Sequence, residues 1–204
     1  GAAMAACRVA AGDLPFAPLT LEDAPEPALL AAAAEHDLIV IGRDSTLGME
    51  QTEDGLAPVI AALLKDGARP LLVVPPGWDA ATQGSVAAAY DGSIPAMRAL
   101  QLFALLGLHE GAEVTVLSVA DSRGEAEAVA ARGAAYLAKH GIAARAVGLE
   151  GSAPERALTT EASRIGARLL VAGAYGTRGL RSFLFGSTTP HLLHQAPCPL
   201  FVHH

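Results

Sequence analysis

The stretch "RLLVAGAYGTRGLRSFLFGST", residues 168–188, joins an apolar run to a glycine-rich loop. The run Leu169–Ala172 is typical of a buried strand. Backbone N–H groups of a glycine-rich turn at the start of a helix can hold a phosphate, and hydroxyl groups add donors. The candidate residues of this loop are Gly173, Gly176, Gly186, Ser187 and Thr188. The stretch therefore predicts an α/β fold with a candidate site for a phosphorylated ligand.

Strand and helix patterns alternate on both sides of this loop. The predicted strands are Ser85–Tyr90, Ala112–Val119, Ile142–Leu149, Arg168–Gly173 and Pro199–Val202. Apolar residues between them recur at helical spacing, as in the stripe formed by Ala126, Val129, Ala130, Gly133 and Leu137. The alternation predicts an α/β layer sandwich with a doubly wound, mostly parallel sheet.

Polar residues mark the expected helix starts. Ser152 with Glu155, and Asp23 with Glu26, have the spacing of a capping box. The segment Asp91–Ser93 is expected to cap the following helix while the Asp91 carboxylate faces the cleft.

The chain contains an internal repeat. "APERAL" at residues 153–158 matches "APEPAL" at 24–29, and "LLVAG" at 169–173 matches "LIVIG" at 38–42. "CPLFV" from Cys198 likewise matches "RPLLVV" from Arg69. The stretch 75–85 between the copies is rich in proline and glycine, as linkers are. We therefore expect two copies of one unit, residues 1–77 (the first unit) and 84–204 (the second unit).

Composition limits the class of protein. The 204 residues are 51% hydrophobic and 17% charged, with a net charge of −7, so an electrostatic grip on nucleic acid is not expected. No apolar run is long enough to span a bilayer, and no export leader is recognised. Cys7 and Cys198 stand alone at opposite ends, which favours reduced thiols. We expect a cytoplasmic protein without membrane contact.

The loop carries a more specific resemblance. Gly173, Gly176, Gly186 and Ser187 match the signature G-x2-G-x9-G-[ST] residue for residue. With "AYDGS" at 89–93 and "HQAPCPLFV" at 194–202, the second unit resembles the ATP-binding universal stress proteins along its whole length. The resemblance implies a five-stranded parallel sheet of order 3-2-1-4-5, similar to that of the adenine nucleotide alpha hydrolases.

The same resemblance implies roles for residues. Asp91 would face the adenine end, the backbone of Val119 would contact the base, and the glycines and Ser187 would hold ribose and phosphates. Mg²⁺ would be carried by the nucleotide. Such proteins are often tandem pairs or dimers that bind ATP without rapid hydrolysis, so no catalytic residue and no enzyme activity beyond slow hydrolysis are expected.

The first unit is expected to lack the nucleotide. Its counterpart of Gly176 is Ser45, and Leu56 replaces Ser187. The intervening loop changes from two arginines, Arg178 and Arg181, to three acids at 50, 53 and 54. Each charge near a phosphate is worth on the order of 1 kcal/mol, so this change disfavours a polyphosphate.

The first unit also looks incomplete, because its opening residues align with the middle of the long helix of the second unit. It would keep a third, fourth and fifth strand, with a gap where two strands and a helix should lie. Either residues missing from the chain or a partner chain would fill the gap, and the start in mid-helix favours the former.

Several alternatives remain open. The glycine loop could be a plain connection, the two arginines could be solvated, and the Val119 side chain could serve only the core. His191 and His194 lie three residues apart without a further ligand, so no metal site is expected. The apolar last strands, Leu71–Val74 and Pro199–Val202, should pair within the chain as a pseudo-dimer that could pair again. The expected function is a nucleotide-responsive role in stress or signalling, or alternatively that of a nucleotide-free scaffold.

Overall fold

The computed structural model describes residues 2–45, 47, 57–174 and 188–204. The first unit contains α1 (Ala2–Ala11), α2 (Pro25–Ala33), β1 (Ile39–Gly42), α3 (Pro58–Asp66) and β2 (Leu71–Val74). The second unit begins with β3 (Ser85–Ala89), α4 (Ile94–Leu105), β4 (Val114–Ala120) and α5 (Arg123–Ala138). It continues with β5 (Ala144–Glu150), α6 (Pro154–Arg164), β6 (Ala167–Gly173), α7 (Thr188–Gln195) and β7 (Leu200–His203).

All these strands belong to one sheet of seven strands, in the order β1-β2-β7-β6-β3-β4-β5. The five strands of the second unit are parallel and lie in the order β5-β4-β3-β6-β7. The sheet exceeds the expected five strands because β2 adds to β7, and β1 adds to β2 in parallel.

The β2–β7 pair joins the two units and is antiparallel. Leu72 lies opposite Phe201, flanked by the pairs Leu71–Val202 and Val73–Leu200. The expected pairing of the two apolar last strands is therefore present within the chain. The pairing satisfies strand edges that would otherwise be exposed.

Helices cover both faces of the sheet. On one face, Leu100 and Phe103 of α4 and Ala130 and Leu137 of α5 pack in a core that includes Val171 and Phe201. On the other face, α3, α6 and α7 pack in a core shared by both units. This core contains Ile60, Leu63, Leu158, Leu192 and Leu193. In the second unit, α4 and α5 cover one face and α6 and α7 the other. The winding therefore reverses between the neighbouring strands β3 and β6, which makes this sheet doubly wound.

Local sequence explains the helix α5. Its buried residues Ala126, Ala130, Gly133 and Leu137 lie on one stripe, as predicted. Ser122 caps the helix, because its hydroxyl accepts a hydrogen bond from the Glu125 backbone N–H over 3.3 Å.

Two predictions for helix starts are wrong. Helices α2 and α6 begin after Ala24 and Ala153, and neither has a side-chain cap. Each helix begins at a proline one residue later than the predicted cap requires, so the N-cap residue is an alanine, whose methyl side chain cannot accept a hydrogen bond.

The predicted third strand of the first unit is also wrong. Residues 15–22 adopt no regular structure, and Leu14, Leu19 and Leu21 are exposed. In the second unit the third strand, β5, pairs only with β4, and the first unit has no counterpart of β4 among the described residues. Pro15 and Pro18 also remove two backbone donors.

None of the helices in the described ranges is both long enough and apolar enough to cross a membrane.

Candidate functional site

Three predicted site residues lie at the carboxyl edge of the sheet. Ala89, the last residue of β3, pairs with Leu117 of β4, two residues before Val119, and Asp91 follows β3 by two residues. Ala88 of β3 pairs with Val171 of β6, two residues before Gly173. Because β3 lies between β4 and β6, the ends of these neighbouring strands place Asp91, Val119 and Gly173 at the same edge of the sheet. This is where the helices change face, the usual position of a ligand in such sheets.

The Asp91 turn is built by local hydrogen bonds. An Asp91 carboxylate oxygen accepts a hydrogen bond from the Ser93 backbone N–H over 2.9 Å. The Ser93 hydroxyl accepts one from the Ala96 N–H over 3.3 Å and caps α4, as predicted. Gly92 has a φ of +80°, a conformation that glycine adopts without strain. The turn holds Asp91 exposed at the rim of the site.

Gly173 has a packing role that the sequence analysis missed. A Cβ atom there would overlap the backbone of Pro95 and Ala96 in the first turn of α4. The missing side chain thus lets the end of β6 touch the start of α4. The partial positive charge of that helix start lies at the beginning of the loop as a result.

Val119 and Thr188 occupy the flanks of the site. Val119 is half-buried, and its side chain packs against the core on the α6 and α7 side. This agrees with the interpretation that only its backbone is available to a ligand. Thr188 is the first residue of α7 and is half-buried. Three predicted site residues, Gly176, Gly186 and Ser187, and the loop arginines Arg178 and Arg181 lie outside the described residues.

His203 is a neighbour of the site that the sequence analysis did not single out. It pairs with Gly173 across β6 and β7, and its carbonyl accepts a hydrogen bond from the Ala174 N–H over 2.7 Å. Burial lowers the pKa of the His203 imidazole, and the nearby His204 and Arg98 lower it further. His203 is thus favoured in its neutral form. Its adjacency to Gly173 follows from the strand order and register, which no local motif encodes.

Arg132 also reaches the site. One guanidinium nitrogen lies 3.6 Å from the position that a Cβ atom of Gly92 would take. The side chain extends from α5, which crosses the same face of the sheet as α4. It brings a positive charge to the Asp91–Gly92 turn.

The described site offers an exposed carboxylate, a helix start and small residues that permit close approach. Burial raises the pKa of the Cys198 thiol to about 12, so this cysteine is a poor nucleophile. Within the ranges that the structure describes, no group of three or more histidine, cysteine, aspartate or glutamate side chains could hold a metal ion.

Comparisons with known proteins agree with this architecture. A universal stress protein from Archaeoglobus fulgidus DSM 4304 superposes with a TM-score of 0.68 at 22% identity, over 88% of this chain and 66% of that one. The chain therefore spans just under two thirds of that protein. A putative universal stress protein from Pseudomonas aeruginosa UCBPP-PA14 gives a TM-score of 0.63 at 22% identity, over 98% of this chain and 77% of that one.

A third similar structure is the universal stress protein from Archaeoglobus fulgidus in complex with dAMP. It has a TM-score of 0.48 and 22% identity, over 59% of this chain and 97% of that one. No curated protein matches the chain.

The family comparison concerns the unit that carries the site. The model of the universal stress protein family matches residues 84–204, which are the second unit and more than half of the chain. The chain belongs to the universal stress protein family.

Proposed function

We propose that the second unit binds ATP at the carboxyl edge of its sheet and that the protein is a nucleotide-responsive stress or signalling protein. The observation that supports this best is the convergence of Asp91, Val119 and Gly173 at the point where the helices change face. Asp91 and the Val119 backbone would bind the adenosine end. The glycine loop with Ser187 and Thr188 would bind ribose and phosphates, with Mg²⁺ carried by the phosphates.

The helix start beside Gly173 adds to this assignment. Gly173 allows the first turn of α4 to approach the beginning of the loop. The partial positive charge of a helix start favours an anion. A phosphate chain leaving the Asp91 end toward Ser187 would pass this region.

The two units have different roles in this proposal. We infer that they are tandem copies, the second with the 3-2-1-4-5 order and the first partial and without nucleotide. The antiparallel β2–β7 pair would make them a pseudo-dimer within one chain. The first unit lacks counterparts of Ser187 and of one loop glycine, and it has three acids in its loop. These differences disfavour nucleotide binding in the first unit.

A nucleotide-free scaffold is the second candidate. It is favoured by the local roles of the described site residues, because Asp91 and Ser93 build the start of α4 and Gly173 makes room for it. Those roles would preserve the same residues without a ligand. A binding experiment separates the two functions.

Isothermal titration of the chain with Mg²⁺-ATP should give a stoichiometry of one. Replacing Ser187 and Thr188 together with alanine removes two hydroxyl donors and should weaken binding by tenfold or more. Gly176→Val should do so by blocking close backbone approach. The matched control is Ser45→Val, at the equivalent position of the first unit, which should leave the affinity unchanged.

Three results would contradict the proposal in different ways. No detectable binding, with no nucleotide released from the purified and denatured protein, supports the scaffold function. An unchanged affinity in both loop variants removes the loop from the site. A stoichiometry of two shows that the first unit binds as well.

A further inference from the structure

His203 lies where three elements meet at the start of the candidate loop. It ends β7 and pairs with Gly173, the last residue of β6. Phe201, two residues earlier on β7, is buried in the core beneath α4. Side chains alternate along a strand, so His203 is on the same face as Phe201, which α4 covers. Strands β6 and β7 and helix α4 therefore meet at His203, and we call this contact the junction.

The backbone of His203 holds the first residue of the loop. Its carbonyl accepts a hydrogen bond from the Ala174 N–H over 2.7 Å. Gly173, next to Ala174, lies against the first turn of α4, because a Cβ atom there would overlap the backbone of Pro95 and Ala96. A displacement of His203 would therefore act directly on the point where the chain enters the loop.

The His203 ring is placed for one charge state. Its Nδ1 atom is buried and has no hydrogen-bond partner among the described residues. A neutral imidazole carries a proton on only one nitrogen, so Nδ1 can remain without one. The imidazolium carries a proton on both nitrogens, and its Nδ1–H would be a buried donor without an acceptor, which is costly.

The charges around His203 also oppose its protonation. Burial lowers the pKa of the ring, and the neighbouring His204 and Arg98 of α4 lower it further. Helix α4 and strands β6, β7 and β2 contain no carboxylate that could compensate a charge on the ring. The other cations of these neighbours, Arg168 in β6 and Arg69 just before β2, donate to backbone carbonyls elsewhere. The surroundings of His203 are therefore positively charged, and the start of α4 adds a partial positive charge.

We propose that His203 is a positioning residue for the loop that begins at Ala174, and that it holds the start of this loop only while its ring is neutral. Protonation of the ring creates a buried cation beside Arg98 and the start of α4. The junction relieves this charge when the end of β7 moves away from α4, and Ala174 moves with it. The functional consequence, weaker nucleotide binding in acid, rests on the proposed function of the second unit.

The direction of the effect follows from proton binding. A histidine with a lowered pKa binds fewer protons in the closed junction than in a loosened one, where the ordinary value of about 6.5 applies. The closed junction is therefore fully favoured above about pH 6.5 and loses stability as the pH falls below that value. The equilibrium can shift by up to about tenfold for each pH unit between 6.5 and the lowered pKa.

Two measurements on the whole chain test the inference at about pH 7.5 and about pH 5.5, on either side of the ordinary histidine pKa. The first is isothermal titration with Mg²⁺-ATP. From the higher to the lower pH, the wild-type affinity should fall by at least about threefold more than that of His203→Gln, whose side chain stays neutral. Comparison of the two chains removes the contribution from the titration of ATP itself.

The second measurement needs no nucleotide. Hydrogen exchange at the Ala174 amide, corrected for its intrinsic rate, should lose at least about threefold of its protection at the lower pH in the wild type and keep it in His203→Gln. The matched control is His204→Gln, which should retain the pH dependence. Arg98→Gln should reduce it, because protonation of His203 then costs less in the closed junction. Exchange of the β4 amides shows whether each variant is folded.

Several outcomes overturn the inference. An equal pH dependence of ATP affinity in wild type and His203→Gln does so and leaves ATP binding itself intact. Wild-type protection of Ala174 that does not change with pH does so without nucleotide, and this result stands even where His203→Gln fails to fold. Loss of the pH dependence in His204→Gln transfers the role to the other histidine. Absence of ATP binding at both pH values contradicts the proposed function alone, since the exchange of Ala174 still decides whether His203 controls the start of the loop.

Discussion

Gly42 and Gly173 end matching strands but meet different surroundings. The backbone of α4 lies directly against Gly173, whereas the described residues nearest to a Cβ atom at Gly42 would be Asp44 and Ser45, at 3.6 Å. One residue type at one position of a repeat thus serves a close contact in one unit, while the described fold makes no use of it in the other. The sequence presents both simply as glycines after an apolar run.

This difference gives a stability prediction at the level of one residue. Gly173→Ala should lower the free energy of unfolding by about 2 kcal/mol or more, because its Cβ overlaps backbone that cannot rotate away. Gly42→Ala should change the free energy of unfolding by less than about 0.5 kcal/mol. Urea unfolding of both variants measures this. Equal losses would mean that α4 does not approach Gly173 as described.

Some features of the site follow from local sequence patterns, and others follow from contacts between residues far apart in the sequence. Asp91, Val119 and Gly173 lie at strand ends that apolar runs reveal, and the three strands are neighbours in the sheet. The contact between Gly173 and α4 joins residues about 80 positions apart. His203 meets Gly173 only through the strand order. Such contacts follow from tertiary packing, which local patterns do not report.

Helix α6 contains an ion pair between two of its own residues. Glu161 is buried on this helix, and both its carboxylate oxygens accept hydrogen bonds from the Arg164 guanidinium, over 2.7 and 2.6 Å. These bonds lower the pKa of the Glu161 carboxyl, and the positive charges of Arg164 and of Arg145 on β5 lower it as well. Burial opposes the shift but does not cancel it.

The lowered pKa of Glu161 predicts a pH dependence of stability. A depressed acid contributes stability above its unfolded pKa, about 4.3, and loses it as the pH falls through the lower folded pKa. The free energy of unfolding should therefore drop as the pH falls below about 4.3, and Glu161→Gln should make that drop smaller. Urea unfolding across this range measures it, with Glu155→Gln on the same helix as the control. An identical pH profile in wild type and Glu161→Gln would refute the assignment.

The sequence predicted which helices and strands exist better than it predicted which of them pair or interact. The five strands of the second unit lie within about two residues of their predicted bounds, because apolar runs and glycines mark them. The third strand of the first unit was expected from the repeat but has no neighbour to pair with. The capping boxes at α2 and α6 failed because each helix begins one residue later than expected, with an alanine as its N-cap. Both failures concern interactions that the spacing of residues does not encode.

The whole molecule is unified by a core that crosses the boundary between units. Ile60 and Leu63 of α3 belong to the same buried cluster as Leu158, Leu192 and Leu200 of the second unit. The β2–β7 pair adds a continuous ladder of backbone hydrogen bonds. Neither unit can lose its structure without exposing the apolar surface of the other.

A single cooperative transition is therefore expected on unfolding. Leu63→Ala, in the fully buried part of the first unit, should lower the free energy of unfolding by about 2 to 4 kcal/mol. Because the core is shared, the loss should appear in the amides of both units, such as those of β2 and β4, and in Trp78, which packs against this core from the segment between the units. Hydrogen exchange with tryptophan fluorescence tests this. Two separate transitions, with only the first shifted, would show that the units are independent.

The antiparallel seam between β2 and β7 reverses the direction of one unit relative to the other. Strand β1 runs parallel to β2 and therefore opposite to β6, so Gly42 and Gly173 stand at opposite rims of the same sheet. A molecule seated beyond Gly173 therefore lies at the other end of the strands from Gly42. Coupling between a ligand at one rim and the opposite rim would therefore require a conformational change of the strands and of the core that both units share.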